Sequence, residues 1–152
     1  MRSLVGLAVL LVSLAGCTTQ ESRSYSTPGP CVGDKGGEVR YVELKMSTRR
    51  EDPDTRDDLV IHVLASKTNL VPRGLVACGN LRVFVTNDGE DVLDETWEMT
   101  VHNWDQSDYD GQVKKVVLYA SEHPAGWYGV LAEFTPTATG ETYWDTDLGR
   151  VG

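Results

Sequence analysis

The feature that most constrains the fold of this chain is an alternation of apolar and polar residues with a period of two. Residues 81–85, 97–101 and 128–134 each carry an apolar side chain at every second position. This spacing directs one face of an extended strand inward and the other toward solvent. Further short apolar runs that also predict strands lie at residues 39–46, 59–65, 113–119 and 141–147. The pattern predicts about seven strands.

Turn-forming residues separate these segments. Asn, Asp, Gly and Pro are concentrated at residues 50–58, 87–91, 105–111 and 123–126, where each supplies a particular backbone geometry. No stretch has a sustained helical period, although residues 88–95 or 105–111 have room for one helical turn. The sequence therefore predicts an all-β fold, a single antiparallel β-sandwich, with a small closed barrel as the alternative. Four tryptophans, at positions 97, 104, 127 and 144, are expected to supply large apolar area for its core. Trp104 is out of phase with Trp97 and is expected to cover an edge or an end of the sandwich.

The first seventeen residues have the layout of an export signal. Arg2 precedes an apolar run at residues 4–15, which is shorter than the roughly 20 residues of a membrane span. The stretch ends in Leu14-Ala15-Gly16-Cys17, and these four residues resemble the lipobox of prokaryotic lipoproteins. The resemblance implies cleavage before Cys17 and a diacylglycerol on its thiol. The alternatives are an ordinary secretory signal and an uncleaved anchor, each with an incidental cysteine.

A lipid on Cys17 would hold the protein at the cell membrane or the outer membrane, on the exported side. Each buried methylene contributes about 0.8 kcal/mol, so two or three acyl chains anchor firmly. Thr18 stands where lipoproteins retained in the inner membrane commonly have Asp, and the same resemblance therefore favours the outer membrane in cells with two membranes. The formal charge of −9 repels both anionic lipids and nucleic-acid phosphates. The expected membrane partner is thus reached through the lipid, and nucleic acid is not expected as a partner.

The domain organisation predicted from the sequence has three parts. Residues 1–16 form the signal peptide, residues 17–37 the lipidated cysteine and a flexible tether rich in Ser, Thr, Gly and Pro, and residues 38–152 the sandwich. With Cys17 lipidated, Cys31 and Cys78 remain, and an even pair in an exported protein predicts a disulfide. Two free thiols are the alternative. The bridge would close a loop of about 48 residues and stabilise the fold by about 4 kcal/mol.

Residues 59–86 carry a second, looser resemblance. They read as a strand, a polar turn, a Pro-Arg-Gly segment at 72–74 and another strand. In this order of elements, the region after the tether is similar to immunoglobulin-like or transthyretin-like domains of exported prokaryotic proteins. The resemblance implies an architecture and no activity, because such folds host many functions.

A copper site would require a histidine close to a soft methionine sulfur. His62 or His102 would have to approach Met46 or Met99, yet the alternation places Met99 and His102 on opposite faces of a strand. The simpler expectation for His62 is a backbone hydrogen bond within an apolar strand, and for the other two histidines a place at the surface or in a loop.

A calcium site would draw on the acidic loop at residues 105–111. Asp105, Asp108 and Asp110 offer the hard oxygen ligands that calcium prefers. Gln106 stands where an EF-hand has its first acid, and no acid occupies its closing position, so any such site would be a looser one. The alternative is a solvated turn that keeps the protein soluble.

Signatures of enzymes are missing from the sequence. It contains no His-Glu-x-x-His, no Gly-x-Ser-x-Gly, no Walker loop and no Gly-x-Gly-x-x-Gly, so neither catalysis nor a cofactor is expected. Aromatic residues near turns could instead bind a protein or a glycan, with core and rim packing as the alternative. The sequence thus predicts a lipid-anchored envelope protein with a binding or structural sandwich, or alternatively a copper- or calcium-binding lipoprotein. The aromatic residues concerned are Tyr109, Trp127, Tyr128, Tyr143 and Trp144.

Overall fold

The computed structural model describes residues 31, 33–68, 75, 77–100 and 112–152. The signal peptide, Cys17, most of the tether and the Pro-Arg-Gly segment lie outside the described residues. So do residues 101–111, and what the sequence predicts for these parts stays a prediction. Residues 101–111 include His102, Trp104, Asp105, Asp108, Tyr109 and Asp110. Within the described ranges, no helix is both long and apolar enough to span a membrane.

Seven strands form two antiparallel sheets, which confirms the predicted all-β sandwich. A three-stranded sheet has the order β1-β2-β5, and a four-stranded sheet has the order β4-β3-β6-β7. A short 3-10 turn, Gly36–Glu38, precedes the first strand. The strands are β1 Tyr41–Arg49, β2 Asp58–Ser66, β3 Gly79–Asn87, β4 Glu90–Met99, β5 Gln112–Leu118, β6 Gly126–Pro136 and β7 Tyr143–Val151.

The core lies between the two sheets and is built from the alternating positions. Every second residue of β3 and of β6 is buried, and their neighbours along the strand are less buried. The inner face of β2 packs against them from the other sheet. Full burial of one such aliphatic or aromatic side chain contributes roughly 1.5–3 kcal/mol. The main contributors are Leu59, Ile61, Val63, Leu81, Val83, Val85, Tyr128, Val130 and Phe134.

The acidic segment after β3 is a strand, so the expectation of a helical turn at residues 88–95 is wrong. Asp88 and Gly89 have φ values of 49° and 85°, as a two-residue type I′ hairpin turn requires. This turn pairs Asn87 with Glu90 and places β4 beside β3 along its length. The hairpin ladder supplies the backbone hydrogen bonds that an isolated helical turn would leave unmade.

The segment before β1 is fastened to the start of β3. Cys31 and Cys78 form the predicted disulfide, with their Cα atoms 6.3 Å apart. Beside it, Asp34 Oδ1 accepts hydrogen bonds from the backbone N–H groups of Gly36 at 2.8 Å and Cys78 at 2.9 Å. A covalent bond and a carboxylate thus hold the same two pieces of chain together.

A buried tyrosine fixes the connection between β5 and β6. The Tyr128 side chain is fully buried, and its hydroxyl donates to the Pro124 carbonyl at 2.7 Å. Burial raises the pKa of the Tyr128 phenol above its usual value. A tyrosine near the start of this strand that bonds back to the corner is a feature of Greek-key sandwiches. It orients the beginning of β6, where the candidate site starts.

Hydrogen bonds also join the two sheets along one side. Asp145 on β7 accepts the backbone N–H of Leu44 on β1 at 2.8 Å through its Oδ2. Farther along, Asp57 and Gly152 exchange two backbone hydrogen bonds, of 3.0 and 3.1 Å. Strand β7 is therefore supported by β6 on one edge and by contacts with the other sheet.

Candidate binding surface

The outer face of the four-stranded sheet exposes three large apolar side chains. Trp127, Leu148 and Trp144 have 63%, 63% and 65% of their surfaces accessible. Their strand neighbours Tyr128 and Gly149 are buried, which shows that the three side chains point away from the core. All three lie on β6 or β7, the strands that the tyrosine corner and the Asp145–Leu44 hydrogen bond support.

Register arranges these side chains in one line. Trp127 pairs with Arg150, and Leu148, two positions along β7, pairs with Gly129. Two positions farther, the half-buried Leu131 pairs with Thr146, and Trp144 then pairs with Glu133. With about 3.4 Å per residue, successive members are spaced by about 7 Å along the strands and the line is about 20 Å long. We call Trp127, Leu148, Leu131 and Trp144 the aromatic stripe.

Each member of the aromatic stripe faces a polar or minimal neighbour across the ladder. These neighbours are Arg150, Gly129, Thr146 and Glu133, in the order of the stripe. A Cβ atom on Gly129 would lie 3.2 Å from the Thr86 hydroxyl, so this hydroxyl lies close beside the glycine. Hydrogen-bonding groups therefore line a strip of apolar surface from one end to the other.

A network of charged side chains lies on the same face, on the side of the stripe toward β3 and β4. Arg82 donates to both carboxylate oxygens of Asp94, at 2.7 and 2.8 Å, and to Glu133 at 3.2 Å. The guanidinium lies 5.6 Å from the centre of the Phe84 ring and partly covers it. Hydrogen bonding to Arg82 holds the pKa of the Asp94 carboxyl below its usual value. On this face, the large apolar side chains of the described residues that are more than half exposed therefore all belong to the stripe.

The aromatic residues proposed from the sequence fall into two groups. Trp127 and Trp144 are exposed on the stripe, which corrects the expectation that they supply the core. Tyr128 is a core residue, and Tyr143 packs against the core from the side. Trp97 also packs there, as expected, with the Lys114 ammonium 5.0 Å from its ring centre. The position of an aromatic residue near a turn does not tell whether it is exposed or packed against the core. That depends on which face of its strand is buried.

A polar cluster lies on the outer face of the three-stranded sheet. The buried His62 ring has Nε2 at 2.9 Å from the Ser47 hydroxyl and Nδ1 at 2.6 Å from Gln112 Oε1. The sequence predicted a backbone partner for His62, and the structure places side chains at both ring nitrogens. The order hydroxyl, imidazole, amide resembles a nucleophilic relay. The two contacts fix the orientation of the ring, and the amide, unlike the carboxylate of a Ser-His-Asp triad, carries no charge.

The histidine and methionine of the expected copper site do not meet on this sheet. His62 pairs with Lys45, so Met46, the next residue, points to the opposite face and packs against the core. In the described part of the chain, one group of three potential metal ligands has its donor atoms within 4.8 Å: Cys31, Asp34 and Cys78. Its two sulfurs are joined in the disulfide. The calcium ligands proposed at Asp105, Asp108 and Asp110 lie outside the described residues.

An acidic depression of about 410 Å³ lies between the β1–β2 loop and the β5–β6 corner. Asp58 in its wall accepts the buried Ala120 N–H at 2.8 Å and an Arg49 guanidinium N–H at 3.2 Å. Arg56 donates to the Ala120 carbonyl from the other side. These charged groups bind loop atoms, and the depression is best explained as the scaffold of the two connections.

A search of protein-family models and of curated proteins found no match to this chain.

Proposed function

We propose that this chain is a lipid-anchored envelope protein that binds a partner through the aromatic stripe and does not act as an enzyme. The observation that carries the proposal is a 20 Å line of apolar side chains, with an exposed indole at each end, on the face of a rigid sheet. A single exposed apolar residue is ordinary on a protein surface. Three that share one stripe are typical of an interaction site.

The position of the stripe supports a role in binding. Side chains on strands are held more accurately than those on loops, so a partner loses little free energy in ordering them. The tyrosine corner at Tyr128 and the contact of Asp145 with Leu44 brace the strands that carry it. We also assign the sandwich to the immunoglobulin-like class, on the strand order of its two sheets and its tyrosine corner.

The anchor rests on the sequence Leu14-Ala15-Gly16-Cys17 and its resemblance to a lipobox. In this proposal a diacylglycerol on the Cys17 sulfur holds the protein on the exported side of the cell membrane or outer membrane. The acidic chain, with a formal charge of −9, would gain nothing from contact with anionic lipids. The tether then carries the sandwich away from the bilayer and leaves the stripe open to the envelope space.

Substitution of the proposed lipid acceptor tests the anchor. We expect Cys17→Ser to move the protein from the membrane fraction to the soluble exported fraction, because the variant has no thiol to acylate. Thr18→Ser is the matched control and should stay with the membranes. Intact mass of the wild-type chain should show an acylated N-terminal cysteine. A wild-type chain whose intact mass shows an unacylated Cys17, or an uncleaved residue 1–16 segment, would exclude the lipid as the anchor.

A further inference from the structure

We infer that the aromatic stripe binds an extended, uncharged β-linked polysaccharide whose sugar rings stack on Trp127 and Trp144. This inference rests on the proposed function, because it names the partner of the same surface. It is carried by the alternation of apolar side chains and hydrogen-bonding groups along one strip of the sheet.

A sugar chain matches both parts of this alternation. The flat side of a pyranose ring presents C–H bonds with small positive charge, which complement the negative face of an indole. The rim of the ring presents hydroxyl groups that both donate and accept hydrogen bonds. Thr146, Arg150 and Glu133 lie beside the stripe and offer a hydroxyl, a guanidinium and a carboxylate to such a rim.

The length and openness of the stripe favour a polymer over a single sugar. Two indoles about 20 Å apart on paired strands cannot stack on the same ring. A chain with equatorial linkages stays extended and nearly flat, as the face of the sheet does. Between the two indoles, Leu148 and Leu131 continue the apolar strip beneath the intermediate rings, and their neighbours across the ladder, Gly129 and Thr146, are small.

Charge favours a neutral chain. The formal charge of the protein is −9, which opposes the approach of an acidic polymer. On the face itself, Arg82 is already bound to Asp94 and Glu133. A phosphate- or carboxylate-rich ligand would therefore find only part of the positive charge that it requires.

Two other occupants fit the face less well. The stripe is about 20 Å long and two strands, or about 10 Å, wide, so the roughly 200 Å² that it offers to a second copy is well below the roughly 800 Å² per partner of a standard interface. A bilayer surface would have to cover Arg82, Asp94 and Glu133 together with the stripe. Removing these charges from water is costly.

Titration of the full chain, purified in detergent, tests the inference. The probes are the neutral β-linked hexasaccharides of N-acetylglucosamine and of glucose, followed by calorimetry and indole fluorescence. We expect one of them to bind and to shift the tryptophan emission. Trp127→Ala and Trp144→Ala should each weaken binding by about tenfold, because each removes one of the two aromatic stacking contacts. Both side chains are almost two-thirds exposed, so circular dichroism and the thermal midpoint should stay as in the wild type.

A matched control separates this surface from exposed aromatics in general. Tyr41 is 41% exposed and lies on the other sheet, so Tyr41→Ala should bind as the wild type does. Failure of both hexasaccharides to bind, or equal affinity in the tryptophan variants, would overturn the glycan inference. Sedimentation in the same buffer then tests the proposed binding function separately, because it measures whether the stripe associates with a second copy. If the wild type associates and the Trp127→Ala/Trp144→Ala double variant is monomeric, the stripe binds a second copy. If the wild type and the double variant behave alike in both the titration and the sedimentation, the stripe is not a binding surface. The proposed binding function of the stripe then fails together with the glycan inference.

Discussion

Trp127 and Tyr128 are adjacent in sequence and have opposite environments. The indole of Trp127 is 63% exposed, whereas the Tyr128 ring is fully buried and donates a hydrogen bond to Pro124. The reason is the pleat of β6, which sends successive side chains to opposite faces of the sheet. A residue type alone therefore does not tell whether an aromatic side chain stabilises the fold or recognises a partner.

The Tyr128 hydroxyl is expected to stabilise the connection between β5 and β6. Tyr128→Phe leaves the Pro124 carbonyl without its donor in a partly buried corner, and we expect a loss of about 1–2 kcal/mol in the free energy of unfolding. Urea denaturation measures it. Tyr143→Phe is the control, because the Tyr143 hydroxyl bonds to Glu141 at the exposed surface and should contribute less than about 0.5 kcal/mol. Equal losses in the two variants would contradict the structural role of the corner.

At the level of elements, the β3–β4 hairpin shows how pairing overrides local composition. The acidic residues of β4 are poor strand formers by propensity. The Asp88-Gly89 turn nevertheless aligns them with β3, and Leu93 and Trp97 then pack against the core. The acids along this exposed edge also discourage pairing with another chain. They include Glu90, Asp91, Asp94, Glu95 and Glu98.

The close approach of β3 and β6 gives a second prediction. A Cβ atom on Gly79 would lie 2.2 Å from the Thr135 carbonyl oxygen and 2.9 Å from Pro136 Cα, both backbone atoms. Gly79→Ala must therefore separate the ends of two paired strands, and we expect a loss of about 2–3 kcal/mol. Thermal and urea unfolding measure it. Gly37→Ala is the control, since a Cβ there meets nothing within 4 Å. A neutral Gly79→Ala would show that the strands are farther apart than described.

For the whole molecule, the disulfide extends the sandwich to the segment that precedes β1. Cys31 lies before the first strand and Cys78 immediately before β3, 47 positions apart in sequence. The bridge thus ties the two sheets through their connecting chain as well as through the core. If the part of the predicted tether that precedes Cys31 is flexible, a force on the anchor reaches the body of the domain through this bridge.

Removal of the bridge gives a third prediction. The Cys31→Ala/Cys78→Ala variant should lose about 4 kcal/mol, because the unfolded chain regains the freedom of a loop of this length. Urea denaturation of wild type and variant measures the difference, and dithiothreitol should lower the wild type to the level of the variant. The reductant should leave the variant itself unchanged. A wild type that is insensitive to reduction would contradict a stabilising disulfide.

The sequence by itself determined the strand content, most turns and the cysteine pair, since each depends on local spacing or on residue types that have few roles. In β6 the phase was also readable, because Tyr128, Val130, Ala132 and Phe134 are buried in alternation, as predicted.

Only the tertiary structure decided which face of β7 is buried. This strand has apolar residues in both phases, Tyr143 and Val151 in one and Trp144 and Leu148 in the other, so a period of two cannot choose between them. Pairing of Phe134 with Tyr143 sets the choice through the hydrogen-bond register. The aromatic stripe follows from that register. It joins residues that are up to twenty-one positions apart, and no local pattern in the sequence connects them.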